Sequence, residues 1–133
     1  MIRRLAYVSR PRPGLALVEI PRIVATSRVH NAPVGITGIL LFTGQDFAEL
    51  LEGPPTSVAH LWSRIRADER HCDLVTLFDE RAQSPWFADW RMGFPSDSRT
   101  VKQIAAWRER AAATWDAASR AEVRAVLAVV DAI

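Results

Sequence analysis

The sequence predicts an α+β fold, with one mixed sheet of five strands, two flanking helices and a C-terminal helical extension. Three observations carry this. Short β-forming apolar runs recur up to residue 94 with turn residues between them; apolar residues at helical spacing interrupt them twice; and beyond residue 96 the chain becomes alanine-rich and helical in pattern.

Leu5-Ala6-Tyr7-Val8-Ser9 reads as the first strand, ended by the loop from Arg10 to Gly14. From about Val18 to Val29, Ile20, Ile23 and Val24 return at helical spacing. Pro21 falls in the first turn of this helix, where a missing N–H costs little, and Pro33 stops it near His30. Gly35 to Thr43 is a strongly apolar strand. Gly44-Gln45-Asp46 turns it into the returning strand, Phe47 to Glu52, which Gly53-Pro54-Pro55 closes. A second helix follows over Thr56 to Asp68, with Val58, Leu61, Trp62 and Ile65 on one face and Thr56 or Ser57 as its cap. Leu74 to Arg81 is the fourth strand and Trp90 to Phe94 the fifth. The order β-α-β-β-α-β-β is ferredoxin-like with one added strand. Residues 1–95 are thus read as one domain. Residues 96–133 form an extension, capped within Ser96-Asp97-Ser98, helical from about Arg99 to Trp115 and again from Arg120 to Ile133. Its stripe of Val123, Val126, Leu127 and Val130 needs an apolar surface to cover, either the second face of the sheet or another subunit.

Composition narrows the function. The chain of 133 residues is 49% apolar and carries a net charge of +2, enough for one core and without the concentrated basic face that nucleic acid requires. Its single cysteine, Cys72, permits no intrachain disulfide, and its longest apolar run is far too short to cross a bilayer. A cytoplasmic protein with no membrane or nucleic-acid partner is expected. Its size leaves no room for an enzymatic effector, so it is expected not to be an enzyme and to act through a separate downstream protein. Gly35-Ile36-Thr37-Gly38 lacks the lysine and spacing of a phosphate loop, and His30, His60 and His71 stand at no metal-binding spacing with Cys72. A hydrolase on the same fold would need a phosphate-binding loop that is not visible. RNA binding would need paired aromatics on the strands.

What remains is a set of polar residues set among apolar elements: Tyr7, Ser9, Asn31, Glu49, Arg64, Asp68 and Trp90. Taken with Leu5–Ser9, Ser27–Asn31, Gly35–Leu41, Phe47–Gly53, Arg64–His71 and Phe87–Met92, this set resembles the BLUF family of blue-light sensors using FAD, over roughly residues 3–95. The specific marks are a Leu-Glu-Gly strand, an Asp-x-Arg-His turn and a Trp-x-Met strand. The resemblance implies a flavin, FAD with FMN as the other choice, held between the two helices. Ile23, Phe47 and Ile65 would sandwich its ring, Asn31 would bond the pyrimidine edge, and Arg64 and Asp68 would reach the O2 edge. Ser27, Arg28, His30, Leu40 and His71 complete the implied binding set, with His30 replacing the asparagine often found there. Without the resemblance, Asn31 reads as a helix-end or turn residue and Arg64 with Asp68 as a surface ion pair four residues apart.

Tyr7, the only tyrosine, would be the donor to photoexcited flavin, with Trp90 and Met92 reporting the change. Glu49 stands where the family carries its photoactive glutamine. Glutamine both donates and accepts, whereas an ionised glutamate only accepts. Burial raises a carboxyl pKa and favours the neutral form, which donates again. Three outcomes stay open: a protonated Glu49 with an altered light cycle, flavin bound without useful photochemistry, or a chromophore-free interaction module. A homodimer or larger homo-oligomer is expected through the tail stripe.

Overall fold

In the computed structural model, residues 1–15, 19, 22, 29–93, 97–110 and 114–129 are described, Met92 and Val129 by their backbone only. Five strands form one sheet: β1 (Ile2–Pro11), β2 (Thr37–Phe42), β3 (Phe47–Gly53), β4 (His71–Ala82) and β5 (Trp90–Gly93), in the order β4-β1-β3-β2-β5. All neighbours are antiparallel except β2 and β5. This is the predicted ferredoxin-like sheet with its extra strand on the β2 edge. The predicted first helix lies almost wholly outside the described residues. Residues 29–31 are helical and lead into a 3-10 turn, Ala32–Val34, which ends at Gly35 with φ 76°.

Strand alternation sorts the side chains onto two faces. Leu5, Tyr7, Ile36 and Leu51 pack with Val58 and Trp62 of helix α1 (Pro55–Ala67) on the first face. On the second, Ala6, Val8, Ile39, Leu41, Ala48 and Leu50 pack under helices α2 (Ser98–Trp107) and α3 (Ala117–Val129), which contribute Ile104, Trp107, Val123 and Leu127. Val123, Val126 and Leu127 of the tail stripe are therefore buried on the chain's own sheet, while Val130 lies outside the described residues.

Helix boundaries depart from the sequence reading where caps decide them. α1 begins at Pro55 without a side-chain cap, so neither Thr56 nor Ser57 serves. Proline at the first turn has no N–H to satisfy, which moves the start one residue earlier. The helix expected to run to Trp115 stops at Trp107. Asp97 caps α2 by accepting from Arg99 N at 2.8 Å, and Asp116 accepts from Ser119 N at 2.9 Å to start a new helix. The interruption lets Trp107 and Trp115 meet edge to face, ring centroids 6.4 Å apart, with both buried.

Gly38 is the described position where the sheet is tightest against a side chain. Its φ is +143°, and a Cβ built there would stand 1.9 Å from the Leu50 carbonyl oxygen. Its partner across the parallel pair is Trp90. Gly38→Ala should lower stability by about 3 kcal/mol, measured by urea unfolding, since backbone on both sides would have to move. A loss below about 1 kcal/mol would show that the strand yields easily.

Candidate functional site

The first face of the sheet and the C-terminal half of α1 enclose a cavity of about 420 Å³, within the range typical of small-molecule sites. Tyr7 and Glu49 reach it from the central strands, Leu40 and Phe47 from β2 and β3, and Leu61, Arg64, Ile65 and Ala67 from α1. Asp68, Arg70 and His71 line it beyond the helix, and His30 and Asn31 close it at the 3-10 turn.

Tyr7 and Glu49 are direct partners across the β1–β3 pair, so their side chains leave the same face side by side. The Tyr7 hydroxyl donates to Glu49 Oε1 at 2.5 Å. Glu49 is only 7% exposed, and burial pushes its carboxyl up to about 7, against the pull of the Tyr7 hydroxyl and the Trp90 indole, which both favour the charged form. Burial, then the charge and hydrogen bond of Glu49, then the charge of Asp68, hold the Tyr7 phenol well above its ordinary value. The phenol thus keeps its proton, and the carboxyl is poised to take or release one near neutrality.

Asn31 is 2% exposed, yet its side chain makes no capping hydrogen bond at the turn it precedes. Asn31 does stand at a helix end, the last of the helical residues 29–31, and its buried amide lines the cavity. His71 is held at both nitrogens. The Ile65 carbonyl, 2.6 Å from Nε2, can only accept, which places a hydrogen there, and Nδ1 lies 2.9 Å from Ser9 Oγ. Behind Tyr7 stands Trp62, ring centroids 5.1 Å apart.

The Arg64–Asp68 ion pair of the alternative reading is not seen, while both residues line the cavity. α1 ends at Ala67, so Asp68 has left the helix in an extended conformation and no longer shares a face with Arg64. Arg70 clamps it instead, Nη2 to Oδ2 at 2.6 Å and Nε to Oδ1 at 2.9 Å, holding its carboxyl below the usual range. Arg64 lines the cavity with no carboxylate partner among the described residues.

Of the residues expected to bind a ligand, His30, Asn31, Leu40, Phe47, Glu49, Arg64, Ile65, Asp68 and His71 share this one cavity, and Tyr7 joins them. Ile23, Ser27 and Arg28 lie outside the described residues, as does the Met92 side chain. Trp90 does not line the cavity. It packs beneath it with Leu40, Phe42 and Phe47 and turns its indole toward Glu49. Leu61, Ala67 and Arg70 were missed. Leu61 belongs to the apolar row read as core, and Arg70 lies in the Asp-x-Arg-His turn, whose spacing was the available signal.

A family model described as sensors of blue-light using FAD, BLUF, matches residues 2–93. The chain belongs to the BLUF family. Its similarity to the photoactivated adenylate cyclase subunit beta of Euglena longa is 34% identity over 92 residues, 66% of this chain and 10% of that protein. With the blue light- and temperature-regulated antirepressor BluF of Escherichia coli (strain K12) it shares 34% over 87 residues, 65% of this chain and 22% of the relative. The chain thus spans a small part of the curated relatives it matches. Among solved BLUF structures, dark-state BlrB aligns with a TM-score of 0.74 and 29% identity over 96% of each chain. BlrP1 of Klebsiella pneumoniae, solved with FMN and cyclic diGMP, aligns at 0.68 and 31% identity over 79% of this chain and 29% of that one. Among the described residues, no group of His, Cys, Asp and Glu is placed to hold a metal ion, and no helix is long and apolar enough to cross a membrane.

The Glu49 environment gives a stability prediction with a definite sign. Its carboxyl titrates near 7 in the folded chain against 4.5 ordinarily, so the folded state holds the proton more tightly. The resulting stabilisation is full below about pH 4.5 and lost as pH rises through about 7. Between pH 4 and pH 8 the stability of wild type relative to Glu49→Gln should fall by about 3 kcal/mol, read from urea unfolding at each pH. A difference independent of pH would mean that Glu49 is solvated rather than buried.

Proposed function

We propose that this chain is a flavin-binding blue-light sensor domain that signals by rearranging hydrogen bonds around the flavin ring, with photoactivity altered or weakened by Glu49. The observation that carries this reading is the Glu49 carboxyl itself, 2.5 Å from the only tyrosine hydroxyl and on the wall of a cavity whose other polar lining includes an uncapped buried asparagine.

The cavity suits a flavin ring. Phe47 from β3 and Ile65 from α1 offer apolar surface for its faces, with Leu40 and Leu61 extending it. Asn31 brings both a donor and an acceptor, which the pyrimidine edge of a flavin needs, and Arg64 brings a cation. His30, with Arg28, is assigned to the ribityl-phosphate end, where FAD and FMN differ. When bound, the flavin supplies absorption of blue light and an electron-accepting ring. Tyr7 is the electron and proton donor nearest the site. Glu49 stands beside that phenol on the cavity wall, accepting from Tyr7 at Oε1 and, when protonated, donating from its other oxygen.

Its protonation state decides what Glu49 can do. A neutral carboxyl offers one donor toward the acceptor atoms of a ring, as a glutamine amide does. An ionised one leaves those atoms unpaired and opposes reduction by its charge. An apolar ring in the cavity removes further water from Glu49 and favours the neutral form. Rotation of a carboxyl exchanges two chemically similar oxygens, so the switch between distinct hydrogen-bond patterns is blunted relative to glutamine. The output passes to a separate effector protein rather than to chemistry in this domain.

An absorption spectrum of the purified or flavin-reconstituted protein should show the flavin bands. Loss of flavin in Asn31→Ala, roughly tenfold or more in Kd, is expected alongside. A colourless protein after reconstitution would replace this reading with a chromophore-free interaction module of the same fold. Under blue light, wild type should give a reversible red shift that is small or absent, and Glu49→Gln should restore or enlarge it. An unchanged shift in Glu49→Gln would remove Glu49 as the cause.

A further inference from the structure

Glu49 and Glu52 lie three positions apart on β3 and so face opposite sides of the sheet. Glu52 is fully buried, with 0% exposure. Its carboxylate accepts from backbone N–H groups of the loop leading to β5: Trp86 N at 2.8 and 2.7 Å and Phe87 N at 3.0 Å. Arg4 supplies the countercharge, Nε to Glu52 Oε2 at 2.8 Å, and its Nη2 donates to the Ser84 carbonyl of the same loop, also at 2.8 Å. The guanidinium lies 4.0 Å from the Trp86 ring centroid, and Arg124 of α3 lies 5.5 Å from it.

Three residues beyond Phe87, Trp90 enters β5 opposite Gly38, and Gly38 N donates to the Asp89 carbonyl at 3.1 Å. The segment from Trp86 to Trp90 is therefore tied at one end to Glu52 and at the other to β2. So short a segment has little freedom between two fixed ends. Leu40 pairs with Glu49 on one side and with Met92 on the other. Trp90, two residues before Met92, therefore stands on the same face of the sheet as Glu49, with only the side-chain-free Gly38 beside it on β2.

We propose that Glu52 is a positioning residue for the site on the opposite face of the sheet: by anchoring Trp86 and Phe87, it sets where Trp90 stands against Glu49. Glu52 does not line the cavity and acts only through the loop. This deepens the sensor reading above, which uses the contact between Trp90 and Glu49, but it concerns contacts within the chain alone. Because Arg124 rests on Trp86, α3 leans on the same anchored loop.

The test compares Glu52→Gln with Glu80→Gln in the whole chain without added flavin. Glu80 is the other carboxylate on Arg4, at 3.4 Å. The readouts are the Trp90 indole N–H resonance, assigned with Trp90→Phe, and the titration of the Glu49 carboxyl carbon, assigned with Glu49→Gln. Glu52→Gln should move the Trp90 resonance and raise the Glu49 midpoint by roughly half a pH unit or more, because the carboxylate loses a donor that favours its charge. Glu80→Gln should leave both in place. A folded Glu52→Gln with both readouts unchanged overturns the proposal, and so does an equal response in Glu80→Gln.

If Glu52→Gln does not fold, hydrogen exchange in the wild type decides. The Trp86 and Phe87 amides and the Trp90 indole should open together, with one opening free energy. An indole opening roughly tenfold more often than the two amides would overturn the proposal. None of these readouts needs flavin, so failure of flavin binding and failure of this assignment are distinguishable.

Discussion

At the centre of the sheet, the antiparallel pairing of β1 with β3 sets Tyr7 opposite Glu49 and Arg4 opposite Glu52, and both faces of the molecule are organised around those two pairs. A slip of one residue would exchange the faces, turning Glu49 into the core under α2 and α3 and Glu52 into the cavity. The register is held because Leu5 and Leu51 must meet α1 while Ala6, Ala48 and Leu50 must meet the tail helices. Hydrophobic sorting on two buried faces thus fixes the position of two acids.

Those acids meet the cost of burial in different ways. Glu52 is met by a buried guanidinium and two backbone N–H groups, the complete satisfaction that a buried ion requires. Among the described residues Glu49 meets neutral donors, a phenol and an indole, which lower the cost of its charge without cancelling it. A proton near neutral pH is the remaining remedy. One strand therefore carries a fully hydrogen-bonded acid and a titrating acid three residues apart, and the β4–β5 loop joins the elements that face them.

Much of this was legible in the chain. Period-2 and period-3.6 apolar patterns marked the strands and α1, and the turn residues Gly44 to Asp46 marked the hairpin. The site residues were legible through their order and spacing, and nearly all of those described converge on one cavity. What misled was local chemistry with two solutions. Arg64 and Asp68 at four-residue spacing imply a helix pair only while the helix continues, and α1 ends between them. The Ala-rich tail has no proline or glycine to break it, yet Asp116 caps a new helix because burying both Trp107 and Trp115 favours a break. Arg70 gave no periodic signal at all, since it lies in a turn.

By itself the sequence determined the fold class, the family and the identity of the residue that departs from it, because pattern and spacing are properties of the chain alone. Tertiary structure decided what that departure means. Whether Glu49 is an ordinary surface acid or a group that binds a proton near neutrality depends on how much water reaches it and which donors face it. Tyr7 comes from 42 residues earlier in the chain, and Trp90 from beyond another strand and helix. Glu52, unremarkable as part of a Leu-Glu-Gly strand, became the anchor of the loop before Trp90 only when the sheet brought residues 84–87 over it.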